Sequence, residues 1–466
     1  SVCCQFDFAR IGKGKTWTGC PWGKMAVEIT DANVAERSRT WLDQVYKKAM
    51  LYRGKHVLIP VGDDFRYQTM GEAHKQFTNY QKMFDWIKVN IPSVSISFST
   101  LSRYFDAARE TNVPKLQGSF FPYSDRKQDY WTGYFNSRIF YKGYDRLLES
   151  LIAAVESKCP VVDIHLQKRA LGIFQHHDGI TGTAKSAVVQ DYYETMQKAV
   201  TELKLKLKTC LDIAGLVFVN PLSVDTPTMK ADEIRPYQED KCEPMAGLQF
   251  ETIQIDEHGR LVQINDTPVH ESLVWRSNKP GQGVAGAYLM SVTPKEDMLQ
   301  PIKHTTCIAK MYKQLETTFD LLKRRIRVYN DGTIEFIYDV DIHARNNGEL
   351  WAMYKPEWTV ERLCSDVHGL MWECHIERKD APLQAKFWPM PTMAWLASST
   401  DRMTFTGAQP TGVGFHEGAM VLMLDRRGNQ DDARGLGQGI TDSRPVEMRF
   451  GVLMEGEHLK EKASEK

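Results

Sequence analysis

The sequence predicts a multidomain protein in which a partial parallel α/β domain is followed by a three-helix bundle and by C-terminal antiparallel β-sandwich domains. Three observations predict this order. Helices and short apolar strands alternate over residues 1–112, and three amphipathic helices follow an aromatic loop within residues 113–212. Residues 213–466 change to the two-residue alternation that is typical of antiparallel strands.

The first part of the chain carries the α/β signal. Apolar residues recur at helical spacing from Ala32 to about Met50, after Thr30 and Asp31 as candidate caps. The apolar run Val57–Val61 suits a strand buried on both faces of a parallel sheet, and Val94–Phe98 is expected to form a second strand. The helix between them carries apolar residues at three- and four-residue steps: Phe77, Tyr80, Phe84 and Ile87.

The middle and last parts of the chain differ in period. Residues 115 to about 140 hold many aromatic residues without a clean period, which predicts an aromatic loop. Helical stripes then cover 141–157, a segment ending at Phe174, and a segment from about Ala184, which together indicate a bundle. Further on, alternating runs flank Gly259 and Gly332 and predict two hairpins.

Composition limits the class of partner. Among 466 residues, Lys plus Arg equals Asp plus Glu at 59 each, so no net charge favours nucleic acid or an anionic membrane. A neutral small molecule or a glycan fits better. We expect no membrane span and no signal peptide in these residues, because no apolar run reaches about 18 residues and no charged and apolar leader opens the sequence.

The cysteines bear on the cellular compartment. Their number, nine, is odd, and their spacing does not suit a zinc ribbon. A disulfide between Cys4 and Cys20 would close a Gly-rich loop, stabilise it by about 3 kcal/mol and imply an oxidising lumen. The alternative is that most of the nine are buried free thiols.

Two adjacent carboxylates, Asp63 and Asp64, follow the first predicted strand. In α/β folds the carboxyl ends of parallel strands hold ligands and catalytic groups. Neighbouring carboxylates favour retention of a proton on one of them, as a general acid requires. In the structural alternative, Asp63 caps the next helix and Asp64 pairs with Arg66.

The segment Gln175–Thr183 joins the second and third bundle helices. On a continued helix His177 would share the face of Phe174 and Ala170 and point inward, with His176 rotated about 100° away. A neutral imidazole is a good zinc ligand, and the adjacent Asp178 could orient it or bind a sugar hydroxyl. A satisfied core histidine is the alternative.

Two further segments offer binding residues. Trp131, in the aromatic loop, could present a ring face to the C–H side of a sugar, although aromatic residues more often fill a core. The Gly-rich stretch Gln430–Gly439 lacks a following helix pattern and therefore does not indicate a dinucleotide loop. Its glycines are expected to shape a tight turn that projects Arg434.

Four motifs together resemble glycoside hydrolase family 38, in order and wording: Val57–Arg66, Tyr130–Arg138, Phe174–Thr183 and Asp425–Gly439. The opening Val2–Phe8 and the run from Leu383 to Pro389 are more similar to the Golgi type II branch than to the lysosomal one. That family combines an α/β domain, a three-helix bundle and β-sandwich domains, which agrees with the periodicity.

The resemblance implies a zinc-dependent retaining α-mannosidase of the Golgi lumen that acts on N-glycan intermediates, with any membrane anchor upstream of this region. Asp64 would be the general acid/base with Asp63 beside it, and His177 would be one of four zinc ligands. Because one sugar would contact both, Asp64 and His177 are expected to face a common cavity. The positions matched to substrate binding are Trp131, His176, Asp178, Tyr288 and Arg434.

The sequence also departs from the family. The other zinc ligands include a His-x-Asp pair near the start of the catalytic domain, and the nucleophile lies in a Trp-x-x-Asp-x-Phe-Gly motif. These 466 residues lack both, and the links around Pro160 and from Leu216 to Gly247 are shorter than expected. We therefore expect no hydrolysis by this chain alone. The alternative function is a catalytically inert glycan-binding or interaction module.

Overall fold

The chain forms two compact units, Ser1–Gln117 and Gly118–Lys466, in a computed structural model. We describe each unit by itself. The structure describes residues 5–11, 25–109, 113–126, 128–212, 215, 217–220, 233–236, 240–367 and 372–456.

The described residues of the first unit form three α-helices: α1 Val34–Ala49, α2 Met70–Asn90 and α3 Leu101–Ala107. The predicted helices are confirmed here. Thr69 caps α2 by accepting a bond from the Glu72 N–H, which leaves one fewer unpaired donor in the first turn. At α1 the N-cap position is Asn33, not Thr30 or Asp31, and its side chain makes no capping bond.

The two predicted strands of this unit are not formed. Val57–Val61 and Val94–Phe98 are not strands, and no strand lies within the described residues before Gln117. Ile59 and Ile96 are half-buried against the apolar cluster of α1 and α2, which explains the apolar pattern. Burial of one face does not make a strand, because a strand also needs a hydrogen-bonded neighbour.

The second unit begins with the aromatic loop and three further helices: α4 Ile139–Lys158, α5 His165–Phe174 and α6 Ser186–Cys210. All three were predicted. They share one buried apolar cluster, to which Leu148, Phe174 and Met196 each contribute from a different helix. A disulfide between Cys159 and Cys210 links the ends of α4 and α6.

The rest of the second unit is built from antiparallel strands. The strands, in chain order, are β1 Val217–Val219, β2 Ile234–Pro236, β3 Glu243–Pro244, β4 Ile253–Ile255, β5 Leu261–Ile264, β6 Thr267–Ser277, β7 Asp297–Met298, β8 Lys303–Ile308, β9 Tyr312–Thr318, β10 Leu322–Tyr329, β11 Ile334–Val340, β12 Gly348–Pro356, β13 Arg362–Ser365, β14 Glu373–His375, β15 Phe387–Met390, β16 Met393–Ala397, β17 Arg402–Gly407, β18 Thr411–His416, β19 Ala419–Arg427 and β20 Val446–Glu455. The predicted hairpins are confirmed as β4–β5 and β10–β11.

These strands form one ten-stranded sheet, ordered β14-β13-β16-β17-β20-β11-β10-β9-β8-β3, and one eight-stranded sheet. The second sheet runs β15-β18-β19-β12-β6-β5-β4, with β7 paired to β6, and β1 pairs with β2. One hydrophobic cluster joins the two large sheets: it contains Trp275 and Leu350 from the second and Leu315 and Phe336 from the first.

Two more disulfides stabilise the strand region, Cys242–Cys307 and Cys364–Cys374. All six cysteines that the structure describes are therefore paired, so the interpretation of most cysteines as free thiols is wrong. Cys4 and Cys20 lie outside the described residues. Within the part of the chain that the structure covers, no helix is both long and apolar enough to cross a bilayer.

Candidate active site

His176, His177 and Asp178 form a group of potential metal ligands in the turn after α5. One ligand atom from each lies within 4.8 Å of the others. The Nε2 atoms of His176 and His177 are 3.6 and 3.7 Å from Asp178 Oδ2. Ligands of a tetrahedral zinc ion are about 3.4 Å apart, given bonds of about 2.1 Å. Two imidazoles and a carboxylate thus fit zinc in type and in spacing.

The predicted inward orientation of His177 is wrong. Its side chain is 80% exposed, whereas that of His176 is 48% exposed. The reason is that α5 ends at Phe174, so the rotation of about 100° per residue does not continue to position 177. An exposed imidazole is accessible to a metal or a ligand, so the alternative of a satisfied core histidine does not apply to His177.

The turn after Asp178 is compact and depends on two glycines. Gly182 has a φ of +72°, and a β-carbon there would clash with the Ser137 carbonyl oxygen. A β-carbon at Gly179 would clash with the Phe174 carbonyl oxygen. The backbone then closes on itself, since the Ala184 N–H donates to the Asp178 carbonyl at 3.1 Å. This turn brings the side chains of residues 176–178 together.

Buried ionisable side chains of α4 and of its N-cap residue form hydrogen bonds with this turn. Arg138 donates to the carbonyls of Gly182 and Ala184 at 2.7 and 2.6 Å. One helical turn further along, Lys142 donates to the Ile180 carbonyl. Asp145 accepts a bond of 2.8 Å from the side chain of Gln175, which precedes the histidines. Lys142 and Asp145 lie on one face of α4, and Arg138 is the N-cap residue of that helix.

Lys142 is expected to impose a pH dependence on stability. Burial lowers the pKa of Lys142 to about 7 against the opposing effect of Asp145. Between that value and the usual pKa near 10.4 the unfolded chain binds more protons, so stability rises with pH, by up to about 1.4 kcal/mol per pH unit. Lys142→Met removes this contribution. We expect the free energy of unfolding of the wild type, measured by urea denaturation, to rise relative to that of the variant from pH 8 to 9.5.

The matched control for this measurement is Lys168→Met, since the Lys168 side chain is 52% exposed. Its stability difference from wild type should stay constant over the same pH range. Parallel pH profiles for wild type and Lys142→Met would contradict the buried-amine interpretation.

Asp178 is the centre of a hydrogen-bonded network. Its Oδ1 accepts bonds from the Tyr288 hydroxyl at 2.9 Å and from the Thr183 hydroxyl at 2.7 Å. Burial, together with the bond to Asp178, raises the pKa of Tyr288 to about 12, so the phenol stays a donor. The second oxygen, Oδ2, faces the two imidazoles. Asp178 is therefore held by one oxygen and can offer the other to a cation or a hydroxyl group.

Trp131 lies beside Tyr288. The two ring centroids are 5.1 Å apart with an interplanar angle of 60°, and the Trp131 ring also meets Tyr123 edge to face at 5.3 Å. The backbone of the same loop is joined to Tyr288 by a bond of 3.0 Å from the Gly133 N–H to the Tyr288 carbonyl. Trp131 is only half-buried, which fits the wall of an open site better than core filling.

Arg434 lies close to this cluster but its guanidinium is engaged by protein groups. It donates to Asp125 at 3.0 Å, to Asp129 at 2.7 Å and to the Asp432 carbonyl at 2.8 Å. Its side chain is only 3% exposed. These contacts attach the Gly-rich turn to the aromatic loop. Contact of Arg434 with substrate stays a prediction.

The second unit thus brings together Trp131, His176, His177, Asp178 and Tyr288. Sequence reasoning did not single out Asp432, whose Oδ2 accepts the N–H groups of Tyr288 and Leu289 at 2.7 and 2.9 Å. The acidic pair at 431 and 432, next to a glycine-rich turn, was the available signal. Arg426 was missed as well, although a charged residue in an apolar strand is unusual.

Asp63 and Asp64 lie in the first unit, in a turn after the extended segment. Asp63 accepts a bond of 2.8 Å from Arg10 and, through its other oxygen, one of 2.9 Å from the Asp64 N–H. Arg66 pairs with Asp7 at 2.7 Å and contacts only the backbone carbonyl of Asp64. The structural alternative is therefore wrong, because Asp63 does not cap α2 and the Asp64 carboxylate does not pair with Arg66.

The backbone around Asp64 is strained. Phe65 and Tyr67 have φ angles of 56° and 59°, in the left-handed region that residues with a β-carbon rarely adopt. Each such residue costs on the order of 1 kcal/mol, and strain of this kind concentrates at functional sites. The Asp64 carboxylate is exposed, so it is accessible to a ligand.

Two family models match parts of this chain. Residues 10–126 match the family model described as the N-terminal domain of glycosyl hydrolases family 38. Residues 129–212 match the model described as the α-mannosidase middle domain. The second match contains Trp131 and the His176–Asp178 group, and the first contains Asp63 and Asp64.

Curated relatives extend the similarity over most of the chain. α-Mannosidase 2 of Homo sapiens is 29% identical over 97% of this chain, and α-mannosidase 2x of Mus musculus is 28% identical over 97%. The chain spans about half of each relative, 54%. α-Mannosidase 2 of Drosophila melanogaster is 41% identical over 44% of the chain, which is 20% of that relative. The mouse alignment extends over 629 positions, so the relative contains internal segments that this chain lacks.

Solved structures share the fold. An α-mannosidase from Enterococcus faecalis matches with a TM-score of 0.67 at 10% identity, and the match covers 92% of this chain and 66% of that one. A protein in glycosyl hydrolase family 38 from the same organism matches with a TM-score of 0.62 at 9% identity, covering 94% and 68%. This likeness shows a shared fold, and the two domain matches together with the curated relatives make the chain similar to the α-mannosidases of glycoside hydrolase family 38.

Proposed function

We propose that the protein is a zinc-dependent retaining α-mannosidase that trims mannose from N-glycan processing intermediates. One observation carries the proposal: five positions that the family motifs assign to metal or substrate lie together in the second unit. They are contributed by the aromatic loop, the turn after α5 and the segment before β7, and up to 157 residues of sequence separate Trp131 from Tyr288. Such convergence of an aromatic wall, hydroxyl donors, a carboxylate and imidazoles suits a sugar.

The residues of this cluster have distinct roles toward a mannose ring. The half-exposed Trp131 ring offers an apolar surface to the C–H face of the sugar. Asp178 Oδ2 accepts a hydrogen bond from a ring hydroxyl, because Tyr288 and Thr183 already occupy Oδ1. His176, which is half-exposed beside Asp178, adds a second polar contact. A ligand that covered these polar groups but offered no hydroxyl would leave them without hydrogen-bond partners. The site therefore discriminates against ligands that lack a hydroxyl group.

His177 is the ligand that this chain would contribute to zinc, with Asp178 and His176 close enough to assist. Zinc in such a site binds substrate hydroxyls and stabilises negative charge that develops on oxygen. The imidazole of His177 is 80% exposed, so it is accessible to a metal ion. The contacts from Arg138 and Lys142 hold the backbone of the turn that carries His177.

Asp64 supplies the proton chemistry in the proposed reaction. As a general acid it gives its proton to the departing glycosidic oxygen, and as a base it then takes a proton from the water that hydrolyses the glycosyl intermediate. Asp63 is oriented by Arg10 and holds the Asp64 backbone N–H, so it fixes the turn that presents Asp64. Retention of configuration follows from two successive inversions at the anomeric carbon.

We place the reaction in the Golgi lumen. Three disulfides among the described residues require an oxidising compartment for their formation. The resemblance to the Golgi type II branch of the family supports the same compartment.

Hydrolysis requires groups that these 466 residues do not contain. The nucleophile motif Trp-x-x-Asp-x-Phe-Gly is absent from the sequence, and the His-x-Asp spacing that the sequence does contain, His176–Asp178, is not the pair expected near the start of the catalytic domain. We therefore expect the 466-residue chain alone to bind no stoichiometric zinc and to leave mannosides intact. The cluster around Asp178 nevertheless forms without those motifs, which favours a glycan-binding or interaction module as the second candidate function.

The test uses the native protein that contains this chain. We expect one zinc per active site by metal analysis and hydrolysis of an aryl α-mannoside, with the α-anomer of mannose released first, as detected by NMR. Asp178→Asn should lower kcat/KM by about 10- to 100-fold, because the residue supports both metal and sugar. Asp191→Asn, at an exposed position on α6, is the matched control and should be without effect.

The outcomes separate the two candidates. A native protein that binds oligomannose, holds no zinc and hydrolyses no mannoside is the glycan-binding module. Release of the β-anomer first, or an unimpaired Asp178→Asn variant, contradicts the retaining mechanism or the assignment of Asp178.

A further inference from the structure

Two buried side chains of opposite charge form hydrogen bonds with the backbone of the four-residue segment Gly286–Leu289, which contains Tyr288. We call this segment the Tyr288 loop. Asp432 accepts hydrogen bonds from N–H groups of the segment, and Arg426 donates hydrogen bonds to its carbonyl groups. Neither residue lies among the positions that the family motifs assign to metal or substrate.

Asp432 is completely buried, and one of its oxygens, Oδ2, accepts the N–H groups of both Tyr288 and Leu289. The backbone approaches this carboxylate so closely that a β-carbon at Gly286 would lie 2.7 Å from it. Only glycine fits there. The other oxygen, Oδ1, has no hydrogen-bond partner. A single atom of Asp432 therefore makes both contacts to the Tyr288 loop.

Arg426 binds the opposite side of the same loop. Its Nη1 donates to the Gly286 carbonyl at 2.7 Å and to the Ala287 carbonyl at 3.3 Å, and its Nη2 donates to the Leu289 carbonyl at 3.0 Å. The remaining carbonyl, that of Tyr288, accepts the Gly133 N–H. Every carbonyl of the loop is thus bonded, which leaves the segment little freedom to move.

The turn that carries Asp432 is also attached to the aromatic loop that carries Trp131. Arg434 lies two residues after Asp432 and binds Asp125 and Asp129, which precede Trp131 in the aromatic loop. One short turn therefore holds the Trp131 side through Arg434 and the Tyr288 side through Asp432. The distance between the two rings, 5.1 Å between centroids, depends on this double attachment.

We propose that Asp432 and Arg426 are positioning residues that fix the Tyr288 hydroxyl on Asp178 and hold the Tyr288 ring against Trp131 at the proposed sugar subsite. The consequence for catalysis rests on the proposed function, whereas the positioning of Tyr288 does not. Asp432 acts through backbone N–H groups and never touches the sugar.

The test compares two substitutions of Asp432 in the native protein. Asp432→Asn can keep an acceptor at the position of Oδ2, because the partnerless Oδ1 position accommodates the amide nitrogen. Asp432→Ala removes both bonds. We expect the alanine variant to shift the Tyr288 Cζ signal in NMR spectra, assigned by its loss in Tyr288→Phe, and the asparagine variant to restore the wild-type signal.

Activity provides the second measurement. Displacement of a binding group by about 1 Å costs on the order of 100-fold in rate. Asp432→Ala should therefore lower kcat/KM on an aryl mannoside by about 10- to 100-fold, and Asp432→Asn should recover most of it. Asp366→Ala is the matched control. Asp366 is also buried and accepts the Thr392 N–H at 3.0 Å, so its loss costs stability without moving the Tyr288 signal or kcat/KM.

The two proposals fail separately. An unchanged Tyr288 signal in Asp432→Ala, or an equal shift in Asp366→Ala, overturns the positioning role whatever the activity. A shifted signal in a native protein that hydrolyses no mannoside leaves the positioning role intact and refutes the proposed function.

Discussion

Glu349→Ala is expected to destabilise the protein by about 3 to 5 kcal/mol, because it leaves a fully buried guanidinium without its counter-charge. Glu349 on β12 lies directly opposite Arg426 on β19 in the sheet register. Their side chains are 0% and 1% exposed, and Arg426 Nη2 lies 3.0 Å from Glu349 Oε1. A charge this deep is tolerated only when it is paired.

The substitution should also affect the Tyr288 loop, which lies outside the β12–β19 strand pair. Arg426 donates to three carbonyls of the Tyr288 loop. Without Glu349 its guanidinium must move to pair with another group or be hydrated by water that enters the core. We expect the free energy of unfolding from urea denaturation to fall, with a lower midpoint and a similar slope. In Glu149→Ala the pair with Arg146 is removed at a largely exposed position on α4, so this control should lose less than about 1 kcal/mol. Equal losses in both variants would contradict the assignment of Glu349 as an obligatory counter-charge.

The sequence was most informative where local patterns decide the structure. Helical spacing predicted α4, α5 and α6 to within a few residues, because one face of each helix must be apolar to share the buried cluster. The hairpins β4–β5 and β10–β11 were predictable for a similar reason. Their turns contain Gly259 and Gly332, which adopt positive φ angles of 78° and 87°.

Prediction failed where structure depends on partners remote in sequence. Val57–Val61 has the composition of a buried strand, but no described segment pairs with it, and composition cannot supply a hydrogen-bonding neighbour. His177 failed for a related reason. Its orientation was predicted by continuing the preceding helix, which in fact ends at Phe174. The sequence marks this end only weakly, by the glycine five residues later.

The candidate site was predictable residue by residue but not as an assembly. The motif containing Asp178 and the aromatic run containing Trp131 attract notice by their residue types alone. The bond from Tyr288 to Asp178 joins positions 110 residues apart, and no local pattern predicts it. Asp432 and Arg426 are harder still, because they act on backbone groups whose position follows only from the packed sheets.

Asp64→Asn is expected to lower kcat/KM on an aryl α-mannoside with a poor leaving group by about 100- to 10,000-fold, the usual contribution of general acid/base catalysis. Asparagine has nearly the same shape as aspartate and keeps the exposed turn intact, but it can neither give nor take a proton. The assay requires the native protein that contains this chain. Asp106→Asn on α3, whose side chain is 74% exposed, changes the same charge in the same unit and should leave kcat/KM unaltered.

The leaving group distinguishes an acid/base role from a loss of binding. The dinitrophenolate of a dinitrophenyl mannoside departs without protonation, so the first step in Asp64→Asn should approach the wild-type rate. Hydrolysis of the glycosyl intermediate should stay slow. A burst of dinitrophenol followed by slow turnover is therefore expected, and added azide should accelerate the second phase because it attacks without needing a base. An equal loss on both substrates, with no burst, would assign Asp64 to binding, and an unimpaired variant would remove it from the mechanism.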